Sequence, residues 1–336
     1  MDLSVIVPVY QVEKYVRPCM ESVFKQRIDD NRFEVIIIND GTKDKSMEMI
    51  ADIINQHKNI TVINQENQGL SVARNNGIAA AKGEYILMLD SDDLLVENSL
   101  KQLVEKAIET KADMVIADFL KKNDKEILNI YNSPIKQPHF EMYEKKGEQY
   151  FMEDFLPAEC YVWRSLFRRA FLIKNNLSFY PGIFFQDIPF THECYLKANK
   201  CIRVSILLNI YRRGHDNTAT ALSSFSAKKA RDLCIAITKI WELSRLNNIS
   251  PALRKKMESN IHVIYLNLCF RILYFLNTHE EAIQTLKFLN KQAPDLRFTN
   301  NFSQRIGDFL RRKMPYIYLK YLSFKWNYHH QSIVNK

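Results

Sequence analysis

Through residue 120 the chain alternates short β-branched, apolar runs with longer stretches in which apolar side chains recur every three or four positions. The runs predict strands at 3–9, 34–38, 61–64, 85–89 and 112–117. The stretches predict helices at 12–25, 46–57, 71–81 and 96–110, the third of them stopped by Gly83. In 46–57, for example, Met47, Ile50, Ile53 and Ile54 fall on one helical face. Strands alternating with such helices predict a parallel, doubly wound sheet. Sheets of that kind bind ligands at the carboxyl ends of their strands. Asn39-Asp40-Gly41-Thr42 and Asp90-Ser91-Asp92-Asp93 fall at those ends.

Between 121 and 220 the rhythm loosens, and Pro134, Pro138, Pro157, Pro181 and Pro189 separate short elements. Helix-spaced apolar residues return at 227–243, 251–276, 280–291 and 315–324. The expectation is one α/β domain over 1–220, with halves at 1–120 and 121–220, followed by a helical, basic region over 221–336. No run of 18 apolar residues occurs, so no spanning helix is expected. The opening residues read as a strand and not as a signal peptide, and a cytoplasmic location is expected.

Composition narrows this picture. Twenty Phe, 16 Tyr and 3 Trp supply a core that a disordered chain lacks. Six cysteines are dispersed without a CxxC pair, as in a reducing compartment. Charge is uneven: residues 1–120 carry a net −7 and residues 121–336 a net +16. A basic back half implies an anionic partner. Residues 297–336 hold eight Lys and Arg against the single acid Asp308, interleaved with Tyr316, Tyr318, Tyr321, Phe324 and Trp326. That pattern fits an interfacial helix on an anionic membrane surface. It equally fits an aromatic helix packed on the rest of the chain. No nucleic-acid-binding motif is present, and no nucleic-acid partner is expected.

The familiar phosphate cradles are missing. Neither GxGxxG nor GxxxxGK[ST] occurs, and GxSxG and HExxH are absent too. Carboxylates at strand ends remain. Asp90 and Asp92, two apart, face one ligand if the backbone stays extended, which suits Mn²⁺ or Mg²⁺ on a diphosphate. Alternatively Asp92 or Asp93 caps the following helix. Asp40 is either part of a plain Asp-Gly turn or an acceptor for a nucleoside. Arg74 sits among Asn67, Gly69, Asn75 and Asn76, company too polar for a core-facing surface.

Four blocks carry a resemblance: Val5-Ile6-Val7-Pro8-Val9-Tyr10, Ile38-Asn39-Asp40-Gly41-Thr42, Asn67-Gln68-Gly69-Leu70-Ser71-Val72-Ala73-Arg74-Asn75, and Gly83 through Asp93. In order and spacing they resemble family 2 glycosyltransferases with the GT-A fold. The resemblance implies a Rossmann-like, mostly parallel sheet flanked by helices, and a nucleotide-sugar donor, most often a UDP-sugar. It implies donor contacts from Pro8, Val9, Tyr10, Asp40, Gly69, Arg74, Asp90 and Ser91. Asp92, with His215 as a second candidate, would hold the Mn²⁺ or Mg²⁺; a surface-loop histidine is the other reading of His215. Further along, Trp163-Arg164-Ser165 and Phe184-Phe185-Gln186-Asp187 look like the family's acceptor half. There Asp187 corresponds to the general base, and Trp163 and Gln186 to acceptor-binding positions. Gln186 stands where the family usually has Glu, and Gln11 and Asn39 depart likewise from Asn and Asp. Asp187 has a second reading as a helix cap.

The chemistry implied is transfer of a sugar, with inversion, to a hydroxyl of a glycan or lipid-linked oligosaccharide in surface polysaccharide synthesis. Arg212 or Arg213 would stabilise the leaving diphosphate. The alternative function is a catalytically silent binder of a nucleotide sugar or an anionic polymer.

Overall fold

The computed structural model describes residues 1–130, 135–157, 159–214, 224–298 and 302–334. The chain divides into two compact units: Met1–Phe155, Cys160–Gly182 and Phe190–Asn217 form the first, and Leu156–Glu159, Ile183–Pro189 and Thr218–Lys336 the second.

The first unit is α/β. Its opening half runs β1 (Leu3–Val9), α1 (Val16–Phe24), β2 (Phe33–Asp40), α2 (Ala51–Gln56), β3 (Ile60–Gln65), α3 (Leu70–Ala80), β4 (Tyr85–Met88), β5 (Leu94–Leu95), α4 (Ser99–Thr110) and β6 (Met114–Lys122). Then come α5 (Asp124–Ile130), β7 (Met142–Lys145), α6 (Gly147–Glu153), β8 (Ser165–Arg168), α7 (Arg169–Lys174), α8 (Asp187–Lys197) and β9 (Cys201–Arg212). The division between units falls within α8, after Pro189.

Strand order is β3-β2-β1-β4-β8-β6-β9-β5, with β7 also paired to β9. β3, β2, β1 and β4 are parallel, as their periodicity predicts. β8 then enters antiparallel between β4 and β6, which gives the mostly parallel sheet that the resemblance implies. β8 is only four residues long, and so short an insert carries no periodic signal.

β1 is buried along its whole length, which is why its run is apolar on both faces. Pro8 is tolerated in this inner strand because β4 pairs only with Leu3–Ile6, leaving the end of β1 beyond that ladder. Helix α3 lies tight on β1. A Cβ on Gly77 would stand 2.3 Å from the Ile6 Cγ2, so only glycine permits that approach. The β1 and β2 registers run together to Val9↔Asn39, which brings the loops after both strands out side by side.

The second unit is helical: α9 (Ala227–Ser244), α10 (Pro251–Tyr274), α11 (His279–Gln292), α12 (Phe302–Lys313) and α13 (Pro315–Val334). Its helix starts are written in the sequence. The Ser226, Ser250 and Thr278 hydroxyls accept from the backbone N–H groups of Lys229, Leu253 and Glu281. Pro251 takes the first turn of α10, and Thr278 with Glu281 has the spacing of a capping box. Ile237, Ile240, Tyr265, Leu268 and Leu286 share one core with Tyr318, Leu319 and Leu322 of α13. Helix α13 thus packs one face, while Tyr316, Ile317 and Phe324 are exposed. Among the described residues no helix is long and apolar enough to cross a membrane.

Candidate active site

Three loops meet at the carboxyl ends of β1, β2 and β4. The first two are laced together. Gln11, in the left-handed region at φ 52°, donates its backbone N–H to the Thr42 Oγ1 at 2.8 Å. Asp44 accepts from the Thr42 and Ser46 hydroxyls at 2.8 and 2.6 Å and from the Glu13 N–H at 3.1 Å. Burial alone raises the Asp44 pKa; these hydrogen bonds outweigh it and hold the carboxyl below its ordinary value. Of the residues expected on the donor side, Pro8 and Val9 are buried at the end of β1, and Tyr10 is exposed beside them.

Asp40 is not part of a plain turn. Its Oδ1 accepts from the Gln65 Nε2 at 2.7 Å and the Gln68 N–H at 2.8 Å, and its Oδ2 from the Gly69 N–H at 2.9 Å. This buried carboxylate fixes the loop that leads into α3. Gly69 stands at φ 85° directly before that helix, a conformation that costs glycine little. From α3, Arg74 reaches Asp90 with its Nη2 at 2.5 Å from the carboxylate Oδ1, and its guanidinium lies 5.1 Å from the centre of the Phe179 ring. Asn75 holds Phe179 in turn, exchanging hydrogen bonds with its backbone at 2.8 and 2.9 Å.

The loop Asp90-Ser91-Asp92-Asp93 is strung between two anchored strands. β5 pairs antiparallel with the end of β9, Leu94 opposite Ile210, so helix α4 starts only at Ser99. Neither Asp92 nor Asp93 caps that helix, which corrects one of the two sequence readings. Arg212 ties the loop down instead. Its backbone N–H donates to the Asp93 Oδ1 at 2.8 Å, its Nε to the Asp92 carbonyl at 2.8 Å, and its Nη1 to the Asp124 carboxylate. Arg212 is therefore committed to the loop. Of the two cations expected at the leaving group, Arg212 is bonded to the loop through Nε and Nη1, and Arg213 is exposed. Beneath the loop, the Cys19 thiol donates to the Asp90 carbonyl at 3.6 Å.

The electrostatics of the loop are lopsided. The Asp90 side chain is 28% exposed and Ser91 is buried. Burial pushes the Asp90 carboxyl above its ordinary value; Arg74 offsets part of this and Asp92 adds to it. Asp93 is buried, and burial together with Asp92 and Asp90 pushes its carboxyl well up, only partly opposed by Arg212. The Asp93 Oδ2 finds no hydrogen-bond partner among the described residues. Burial leaves the neighbouring Asp90 and Asp93 carboxylates only partly compensated, by Arg74 and Arg212. Hard oxygen donors in that state fit Mg²⁺ or Mn²⁺. Among the described residues no group of three His, Cys, Asp or Glu side chains forms a metal cage. His215, the other metal candidate, lies outside the described residues.

The expected acceptor residues are divided. Trp163, in a short turn before β8, is buried in an aromatic cluster: it stacks on Tyr161 at 4.8 Å, meets Phe119 edge-on at 5.0 Å and lies 5.4 Å from Tyr211. Gln186 and Asp187 belong to the segment that joins the helical unit. Asp187 is the first residue of α8, inside the helix and not ahead of it, and Gln186 is buried just before it. Phe185 precedes them at φ 60°, costly for an aromatic side chain. The Arg271 guanidinium lies 5.6 Å from the centre of its ring.

Asp124, Cys19 and the strain at Phe185 escaped sequence reasoning as parts of this architecture, and Arg212 is expected from the sequence at the leaving diphosphate, not as the anchor of the acid loop. Only Arg212 carried a local signal, as a cation in a polar run. The others are joined to their partners by sequence separations that no periodicity reports.

Comparison with known proteins adds three findings. The family model described as Glycosyl transferase family 2 matches residues 4–174. Over 217 residues, 62% of this chain, the sequence is 34% identical to the uncharacterized glycosyltransferase EpsJ of Bacillus subtilis and spans 60% of that protein. It is 29% identical over 210 residues, 60% of this chain, to the teichoic acid poly(glycerol phosphate) polymerase of Staphylococcus epidermidis, spanning 27% of it. In structure, the S. aureus TarS fragment 1–349 crystallised with UDP-GlcNAc superposes with a TM-score of 0.64 at 20% identity, covering 87% of this chain and 80% of that one.

Proposed function

The chain belongs to glycosyl transferase family 2, and from that premise we propose that it moves a hexosyl or N-acetylhexosaminyl residue from a nucleotide sugar, a UDP-sugar, to a hydroxyl of a glycan or lipid-linked oligosaccharide in surface polymer synthesis. One observation carries the reading: a loop of three neighbouring carboxylates, of which Asp90 and Asp93 are only partly compensated by cations, is pinned at the strand ends by Arg74 and Arg212. The complex of TarS with UDP-GlcNAc supports the choice of donor, and the S. epidermidis relative's name supports the polymer setting.

In this reading Asp40, Gly69 and Arg74 shape the nucleoside end of the cleft, with Pro8, Val9 and Tyr10 as its floor and rim. Asp90 and Ser91 face the ribose and donor sugar. Asp92 would hold Mn²⁺ or Mg²⁺, which when bound neutralises charge on the diphosphate. His215 is proposed as a further ligand. Asp187 takes the proton of the acceptor hydroxyl as that oxygen attacks the anomeric carbon. The C1–O bond to UDP breaks as the new glycosidic bond forms, so a single displacement inverts the centre. Trp163 and Gln186 select the acceptor. The protein works on the cytoplasmic side, peripherally bound to an anionic membrane surface through its basic C-terminal helices.

The test is UDP release from a panel of UDP-sugars with Mn²⁺. Slow release, raised by acceptor and lost in Asp92→Ala, supports the proposal. Donor binding without turnover under all conditions favours a silent binder.

A further inference from the structure

Helices α12 and α13 carry an outward face that nothing covers among the described residues. On α13, Tyr318, Leu319 and Leu322 enter the helical core, whereas Tyr316, Ile317, Lys320 and Phe324 recur at helical spacing on the other side. Phe324 is 73% exposed. On α12, Asp308 and Arg311 are buried, and Ile306, Phe309 and Lys313 are exposed. A helix apolar on both sides is normally enclosed on both; here one side has nothing over it among the described residues.

Charge says what fits. The Asp308 carboxylate is already taken by Arg311 at 2.7 Å, with Arg297 3.9 Å away. Arg312 next to them has a buried Nη1 without a hydrogen-bond partner among the described residues. Burial first, then Arg297 and Arg311, pull the Arg312 pKa down, opposed by Asp308 and Asp295. Lys320 lies 4.5 Å over the Tyr316 ring, so cation and aromatic share one patch. A second copy of this chain would bring the same cations to the face and be repelled. A surface of phosphates would satisfy them while the apolar side chains leave water.

We propose that this face docks on an anionic lipid bilayer, with Phe309, Tyr316, Ile317 and Phe324 entering the boundary between headgroups and acyl chains and Arg312, Lys313 and Lys320 meeting lipid phosphates. This deepens the peripheral-membrane reading above and rests on it. It also accounts for the aromatic-basic pattern of the last forty residues, which sequence alone leaves open between packing and membrane. Both hold, on opposite sides of α13. The side chain of Trp326 lies outside the described residues.

The experiment is flotation of the full chain with vesicles of phosphatidylcholine alone or mixed with phosphatidylglycerol, at low and high salt. The expected result is binding to the mixed vesicles only, weakened by salt. Lys313→Gln/Lys320→Gln should lower affinity roughly tenfold, and Phe309→Ser/Phe324→Ser should lose retention at high salt. Both variants should keep wild-type UDP release and thermal unfolding, which excludes misfolding. Wild-type binding that both variants retain overturns this face but leaves the peripheral reading standing. A wild type that ignores mixed vesicles overturns both. A wild-type dimer that either variant dissociates, with no vesicle binding, assigns the face to self-association and overturns the proposal.

Discussion

In the α/β unit Arg74 is buried and bonds Asp90, whose side chain remains 28% exposed beside Asp92 and Asp93. In the helical unit Arg311 is wholly buried and bonds an Asp308 that is buried too, while Asn290 and the Leu296 carbonyl accept from its Nη atoms. The rings of Tyr265 and Phe298 flank it, and only Nε finds no hydrogen-bond partner among the described residues. The two pairs share a chemistry but not a role. Around Arg311 the donors are largely spent, so the pair is a structural fitting whose value lies in specifying how α12 seats. Around Asp90 negative charge is left over and open to solvent, which is what a cationic or phosphate-bearing ligand requires. Excess charge at an opening, more than burial of charge, distinguishes a site from a fitting.

Substitutions in the two units put that contrast at risk. The largest effect is expected in the segment that carries Asp187, which packs with the helical unit. Asp187→Asn should lower the rate of acceptor-dependent UDP release by about 10²–10⁴-fold, the usual contribution of a general base, with unfolding unchanged. A normal rate would confine the chemistry to the α/β unit. Next, Arg311→Met leaves the buried Asp308 with only Arg297, 3.9 Å away, and should cost up to about 3–5 kcal/mol in urea unfolding. Arg311→Met/Asp308→Leu should recover most of that loss, as removing a whole buried pair usually does. If the single variant costs little, the two arginines are not the contrast drawn here.

A smaller and opposite effect is expected at the acid loop. Asp93→Asn keeps the Oδ1 that accepts from Arg212 and removes a buried negative charge. The ligand-free protein should gain a few degrees in Tm at neutral pH, roughly 2–4 °C. A lower Tm would mean that the carboxylate is stabilising after all. The slightest change belongs to an exposed pair, Arg17 and Asp52, joined by two hydrogen bonds of 2.8 Å. The hydrogen bond from Arg17 holds the Asp52 carboxyl at about 2, below its ordinary value of 3.8. Its contribution is therefore present above pH 3.8 and is lost as pH falls through about 2. Arg17→Gln should change acid unfolding only slightly, and less still in high salt, because exposed pairs are screened.

Much of the first unit is legible in the chain. The runs at 3–9, 34–38 and 61–64 become β1, β2 and β3 with small shifts at their ends; β1 and β2 are inner parallel strands that need apolar residues on both faces, whereas β3 is a partly buried edge strand. The acid loop is legible as well, since a polar cluster after an apolar strand has one natural place. Its partners are not. Arg212 lies 119 positions from Asp93, and Phe179 lies 104 from Asn75. Helix α12 gives no comparable signal, because it is rich in charge and, of its few apolar residues among those described, Ile306 and Phe309 are exposed while only Leu310 packs on the core.

Local patterning thus accounts for the alternation of strands and helices, the caps that begin α9, α10 and α11, and the carboxylates at the ends of β2 and β4. Propensity and periodicity act within a few residues, so these features can be read along the chain without its fold. The antiparallel entry of β8, the grip of Arg212 on the acid loop and the choice of which side of α13 is enclosed emerge only in three dimensions. Those outcomes depend on what lies opposite a residue in space, and packing brings together side chains that the chain keeps a hundred positions apart.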